Sequence, residues 1–190
     1  MSGPWIAAFA CLWLLVLLLG FTVVGVMRRM TGVLERTEHL LSQESDGVPP
    51  LTLIPPFEVV DEAGESLSSE HLLREPTIVL FMESGCKPCR ALAAELADSR
   101  GAIGRVPLVV IAGDEGLGDG FGLSPDIPVL RQHGRDVAKL FKSLATPHAF
   151  VVDGAGVVLD RVIPGSVGDL EQMAERQQAG LRQLEEAARG

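Results

Sequence analysis

Two uninterrupted apolar runs of strand length, residues 77–82 (TIVLFM) and 107–112 (PLVVIA), limit what this chain can fold into more than any other feature. Neither alternates polar with apolar residues, so neither suits a sheet with one wetted face. Both read as strands buried on two sides, which requires helices above and below the sheet. Between them, Cys89, Leu92, Ala93 and Leu96 form an i, i+3, i+4, i+7 stripe, the signature of a helix packed on such a sheet. The order is α/β, and 190 residues hold one domain of ordinary size plus an appendage.

The flanks complete the pattern. Residues 57–60 and 65–67 surround Asp61-Glu62-Ala63-Gly64, a hairpin signal, and Ser68 or Ser69 caps a short helix ending before Pro76. Residues 127–130 read as a short strand. Over residues 136–144, Val137, Leu140, Phe141 and Leu144 recur at helical spacing. Residues 148–152 and 157–163 flank Asp153-Gly154-Ala155-Gly156, a second hairpin signal. Val167, Leu170, Met173, Leu181 and Leu184 mark a final helix weakened by Gly180.

The appendage is N-terminal. Residues 5–27 are uncharged and apolar, long enough to cross about 30 Å of hydrocarbon as a helix, with Trp5 where an interfacial anchor belongs. A cleaved signal peptide is the competing reading, but a basic start and a small-residue cleavage site are missing. Cys11 reads as a membrane-facing thiol. Val33, Leu34, Thr37, Leu40 and Leu41 extend the helical stripe, and residues 42–56 carry four prolines. The expected division is an anchor over 1–29, a stalk and Pro-rich tether over 30–55, and a domain over 56–190. The net charge of −9 gives no cationic surface for phosphate backbones, so nucleic acid is not an expected partner. The expected lipid contact is residues 5–27.

Chemistry concentrates in Gly85-Cys86-Lys87-Pro88-Cys89, which follows the first buried strand and opens the helix. Residues three apart on a helix face one side with Cα atoms about 5 Å apart, within reach of a disulfide. Cys89 belongs to the core-facing stripe, whereas Cys86 precedes it at the helix N-terminus. There the free amides and the helix dipole favour a thiolate, and Lys87 adds a cation. Cys86 is thus the expected attacking thiol and Cys89 the resolving one, with Pro88 stiffening the first turn.

Other uses of the spacing weaken on inspection. A zinc ribbon needs a second ligand pair, and His133 and His148 lack metal-type spacing. A c-type haem needs His where Arg90 follows Cys89. A purely structural disulfide remains open, as does a non-enzymatic interaction module with inert cysteines. A thiol peroxidase of the Pro-x-x-x-Thr-x-x-Cys type would need Thr where Glu83 stands. Glu83 is read as a tuner of Cys86 or an exposed carboxylate, and His148 as a groove-lining residue or surface polarity.

With LFMESGCKPC, Pro56-Phe57 and its hairpin, and TPHAFVVDGAGVV beginning at Thr146-Pro147, the chain resembles the thioredoxin superfamily, specifically its membrane-tethered TlpA-like and MauD-like branch, over roughly residues 55–175. The N-terminal part is similar too, down to Gly32-Val33-Leu34-Glu35-Arg36. The resemblance implies a thioredoxin-like fold, a central mixed β-sheet flanked by helices with an N-terminal β-hairpin, plus one N-terminal transmembrane helix. It implies thiol-disulfide exchange with protein partners through a redox-active Cys86-Cys89 disulfide, with no other cofactor and no metal. Pro147 is then a cis proline beside the cysteines, and Thr146 offers its backbone to the substrate peptide. Gly85 departs from the family pattern, in which Trp is common, so the site is expected to be wider or more exposed. The resemblance places the domain outside the membrane. Arg28, Arg29 and Arg36 after the span place it inside.

Overall fold

The computed structural model describes residues 3, 9, 11–18, 46–97, 102–118 and 121–189, and divides the chain into two units, Met1–Ser45 and Asp46–Gly190. In the first unit residues 11–18 are helical with exposed side chains, and the Phe9 and Trp13 rings meet edge to face at 6.3 Å. The expected span over 5–27 falls largely, and the stalk over 30–45 wholly, outside the described residues. Among the described residues no helix is long and apolar enough to cross a membrane.

The second unit is built on a mixed sheet. In chain order its elements are β1 (Glu58–Val60), β2 (Ser66–Ser68), α1 (Ser69–Leu72), β3 (Thr77–Phe81), α2 (Lys87–Leu96), β4 (Ala102–Ile103), β5 (Val106–Ala112), β6 (Val129–Arg131), α3 (Asp136–Leu140), β7 (His148–Val152), β8 (Val158–Val162) and α4 (Val167–Arg189). The strands lie in the order β2-β1-β6-β5-β3-β7-β8, with β4 paired to β5. The central β6, β5 and β3 are parallel, and β7 and β8 add antiparallel.

Alternation within the apolar strands explains why they are apolar throughout. Ile78, Leu80 and Met82 join Leu92, Ala93, Leu96, Leu170 and Met173 in one core. Val79 and Phe81 point the other way, into a second core with Phe57, Val137, Phe141 and Phe150. Phe141 is the hub there, with ring centroids 4.9 Å from Phe150, 5.2 Å from Phe81 and 6.0 Å from Phe57, all edge to face.

Three boundaries differ from the sequence reading. The helix expected over 136–144 ends at Leu140, because Lys142 takes a left-handed φ of 50° and turns the chain, leaving Leu144 80% exposed rather than in the core. The strand expected over 127–130 is displaced to Val129–Arg131, where it pairs with β5. The end of the expected tether is packed, not an extended spacer. Val48 and Ile54 are buried, Val48 N–H donates to Phe141 O and Ile54 N–H to Gly156 O. Two apolar side chains with core space to fill outweigh the extended bias of the flanking prolines. The final helix runs through Gly180 without a break.

Register positions the site. In the β3–β7 ladder Phe81 lies opposite His148, so the end of β3, which leads to the cysteines, adjoins the start of β7, which follows Thr146-Pro147.

Candidate active site

Cys86 is the N-cap residue of α2, in an extended conformation, with Lys87 and Pro88 as the first two helical residues. The chain reaches it through a tight turn in which Cys86 N–H donates to Glu83 O at 3.1 Å. Pro88 suits its position because a helix has no internal acceptor for the amides of its first turn. One of those free amides, Cys89 N–H, donates to Cys86 Sγ at 3.1 Å. The two cysteines form a disulfide with Cα atoms 5.2 Å apart. Their surroundings differ sharply: Cys89 is fully buried against Leu92 and Ala93, whereas Cys86 is half-buried and Gly85, Lys87 and Pro88 around it are exposed.

The loop before β7 closes over this disulfide. The Thr146-Pro147 peptide is cis, Pro147 is buried, and Thr146 O lies 3.2 Å from Cys86 Sγ. Cys86 therefore faces one donor, the Cys89 amide, and one acceptor, the Thr146 carbonyl. The first favours a thiolate, and the second favours the protonated thiol that can donate to it.

The remaining nominated residues are placed as follows. Glu83 forms an ion pair with Arg135 at 3.0 Å, both partly exposed. His148 is 1% exposed, which removes the surface-polarity reading; its Nδ1 lies 3.0 Å from Ser143 Oγ. Burial is the main cause that pushes His148 down to about 4, with the nearby Asp46 carboxylate opposing and Arg161 assisting. It is neutral at pH 7, so its 3.7 Å approach to Asp46 Oδ2 is no salt bridge there. A Cβ added at Gly85 would meet nothing within 4 Å, consistent with an open approach to the disulfide. His133 is exposed beside Asp114. Among the described residues no cluster of three or more His, Cys, Asp or Glu is placed to hold a metal. A cleft of about 880 Å³ between the β1–β2 turn (Asp61, Ala63) and the β5–β6 connection (Gly116, Phe121, Pro125) includes none of the nominated site residues.

No family model and no curated protein matches the sequence. Solved structures do match in three dimensions. The thio-disulfide isomerase from Thermus thermophilus is 27% identical, with a TM-score of 0.54 over 70% of this chain and 98% of its own. The thioredoxin domain of a thiol-disulfide oxidoreductase from Bacteroides vulgatus is 18% identical, with a TM-score of 0.54 over 68% of this chain and 97% of that one. StoA from Bacillus subtilis is 19% identical, with a TM-score of 0.50 over 65% and 98%. The chain contains a thioredoxin-like domain.

Within the thioredoxin-like domain, sequence reading missed the residues that hold the loop before β7. Asp46 is 7% exposed and accepts from Leu144 N–H at 2.8 Å and Ala145 N–H at 2.7 Å. Arg135 Nη2 donates to Ser143 O at 3.0 Å and Leu144 O at 3.3 Å. Ser143 Oγ donates to Ala145 O at 3.2 Å. Asp46 sits in a Ser-Asp-Gly-Pro stretch that reads as linker, and its partners are 98 and 99 residues away. No local pattern marks such a contact.

Proposed function

We propose that this protein is a membrane-tethered thiol-disulfide oxidoreductase of the TlpA-like and MauD-like type, exchanging disulfides with protein partners on the extracytoplasmic face of the membrane. The asymmetry of the two sulfurs carries the reading. Cys86 is half-buried at the start of a ten-residue helix, with a backbone amide aimed at it, while Cys89 is sealed in the core behind it. A structural disulfide needs no such difference; a nucleophile with a resolving partner does.

In the reducing direction the Cys86 thiolate attacks one sulfur of a substrate disulfide, and the other substrate sulfur leaves as a thiolate. Cys89 loses its proton and attacks Cys86 Sγ, releasing the second substrate thiolate. Two electrons have passed to the substrate, and the protein is left with the Cys86-Cys89 disulfide present in the structure. Substrate oxidation is the same sequence reversed. The thiolate is favoured by the Cys89 amide, the α2 N-terminus and the Lys87 charge. The edge formed by Thr146 and Pro147 receives the substrate backbone. The chemistry requires no cofactor beyond the two cysteines. Glu83, engaged with Arg135, stands where a thiol peroxidase would need a threonine.

The apolar run over 5–27 supports the tether. Disulfide chemistry suits an oxidising compartment and supports the outer face, against the arginines that follow the run. The activity is tested by trapping: Cys89→Ser accumulates covalent complexes with partner proteins, and Cys86→Ser does not. Equal behaviour of the two variants would remove the assigned roles. Protease digestion of the domain in intact, wall-stripped cells tests the outer placement, and protection of the domain would overturn it.

A further inference from the structure

We infer that Asp46 is a positioning residue for Cys86: by gripping the loop before β7 it holds the Thr146 carbonyl against the reactive sulfur and so sets the acidity and redox poise of that thiol. The inference rests on the thiol-disulfide reading above and names a control on the same site.

Both oxygens of the Asp46 side chain are committed, Oδ1 to Leu144 N–H and Oδ2 to Ala145 N–H. Only a carboxylate offers two acceptors to consecutive amides without also presenting a donor; the NH₂ of Asn would confront one of those N–H groups. Asp46 is itself fixed. Its carbonyl accepts from Arg161 Nη1 at 2.6 Å, Gly47 O accepts from the same nitrogen, and Gly47 N–H donates to Lys142 O at 3.1 Å.

The other loop groups are accounted for as well. The carbonyls of Ser143 and Leu144 go to Arg135, and that of Ala145 to Ser143 Oγ. The next carbonyl, Thr146 O, is the one that faces Cys86 Sγ at 3.2 Å. In the dithiol state this oxygen accepts from the Cys86 S–H and repels a thiolate, opposing the Cys89 amide. The buried Asp46 charge acts in the same sense, reduced by the Arg161 guanidinium held at its carbonyl but not cancelled by neutral His148. Loosening the loop and removing the charge therefore both favour the Cys86 thiolate. A more stable thiolate stabilises the dithiol form and makes the disulfide more oxidising. Glu83, Lys87, Arg135, Lys142 and Arg161 are the other charges around the loop, and all five are present in every variant compared below.

The test uses the full chain with Cys11→Ser, so that Cys86 is the one accessible thiol after reduction, and compares Asp46→Asn, Asp46→Glu and Ser143→Ala. Iodoacetamide alkylation is followed against pH, and the Cys86-Cys89 pair is equilibrated with glutathione buffers. Asp46→Asn is expected to move the alkylation midpoint to lower pH, with a rate at pH 6 about threefold or more above the parent, and to shift the glutathione equilibrium toward the dithiol. Asp46→Glu, which keeps the charge but misplaces it, and Ser143→Ala, which frees the Ala145 carbonyl and the His148 Nδ1 while leaving both Asp46 contacts in place, are expected to shift both readouts less, in the same direction. Unchanged midpoints and equilibria, with only a lowered melting temperature, would assign Asp46 to folding alone and overturn the inference. Should Asp46→Asn not fold, Ser143→Ala decides by the same criterion. If the parent pair does not exchange with glutathione, the oxidoreductase reading fails, while the alkylation midpoints still judge Asp46.

Discussion

Asp46 and Arg135 hold opposite sides of one residue, Leu144: the carboxylate takes its amide at 2.8 Å and the guanidinium its carbonyl at 3.3 Å. The side chain between these two grips faces solvent at 80% exposure, two residues before the carbonyl that touches Cys86. The loop is therefore ordered by polar contacts to its backbone, not by burying its own apolar surface.

Arg135 serves two sets of partners, and substitutions separate them. Glu83→Gln removes only a partly exposed ion pair and should cost well under about 1 kcal/mol. Arg135→Gln also strips the donors from Ser143 O and Leu144 O and should cost more, about 1–2 kcal/mol. Urea unfolding measures both, and equal costs would show that the carbonyl contacts contribute nothing.

His148 makes stability depend on pH. Its folded pKa, about 4, lies below the ordinary value of 6.5, so between these values the unfolded chain binds the proton and the folded protein does not. Stability from this group is fully present above about pH 6.5 and is lost as pH falls toward 4. The loss is on the order of 3 kcal/mol at most. Unfolding curves across this range should be flatter for His148→Gln; a parallel decline in both proteins would exclude the histidine as the cause.

Gly47 and Phe141 are packing tests. Gly47 has φ +81°, and a Cβ there would lie 2.8 Å from His148 Cε1 and 2.9 Å from Phe150 Cζ, both rings buried. Gly47→Ala should cost about 2–4 kcal/mol from backbone strain and overpacking. Phe141→Ala should cost about 3–5 kcal/mol by opening a cavity among three other rings, whereas Leu144→Ala, nearby but exposed, should stay within about 0.5 kcal/mol. Denaturant midpoints at constant slope give the comparison.

Gly85 leaves the approach to Cys86 open. A side chain added there starts in open space, since its Cβ meets no atom within 4 Å. Gly85→Trp should leave stability within about 0.5 kcal/mol while slowing alkylation of reduced Cys86 severalfold. An unchanged alkylation rate would show that the glycine does not control access.

The sheet was legible in the sequence wherever burial was total. Residues 78–82 and 107–112 are apolar at every position because both faces of β3 and β5 are covered, and the two turn signals at Asp61 and Asp153 fall between paired strands. The stripe from Cys89 to Leu96 likewise announced which cysteine lies in the core. The end of α3 was not legible: Leu144 keeps the helical spacing, but the positive φ at Lys142 ends the periodicity before it arrives.

Local periodicity and turn chemistry by themselves thus determined the strands, the helix carrying the cysteines and the inequality of the two sulfurs, because burial and helix position act on neighbours in the chain. Tertiary structure decided what faces the reactive sulfur. Thr146, Arg135 and Asp46 come together only when β7 pairs with β3 and the segment after Ser45 folds onto the domain. A carboxylate that binds two amides 98 and 99 residues away leaves no periodic trace, since hydrogen bonding across that distance constrains geometry and not sequence pattern.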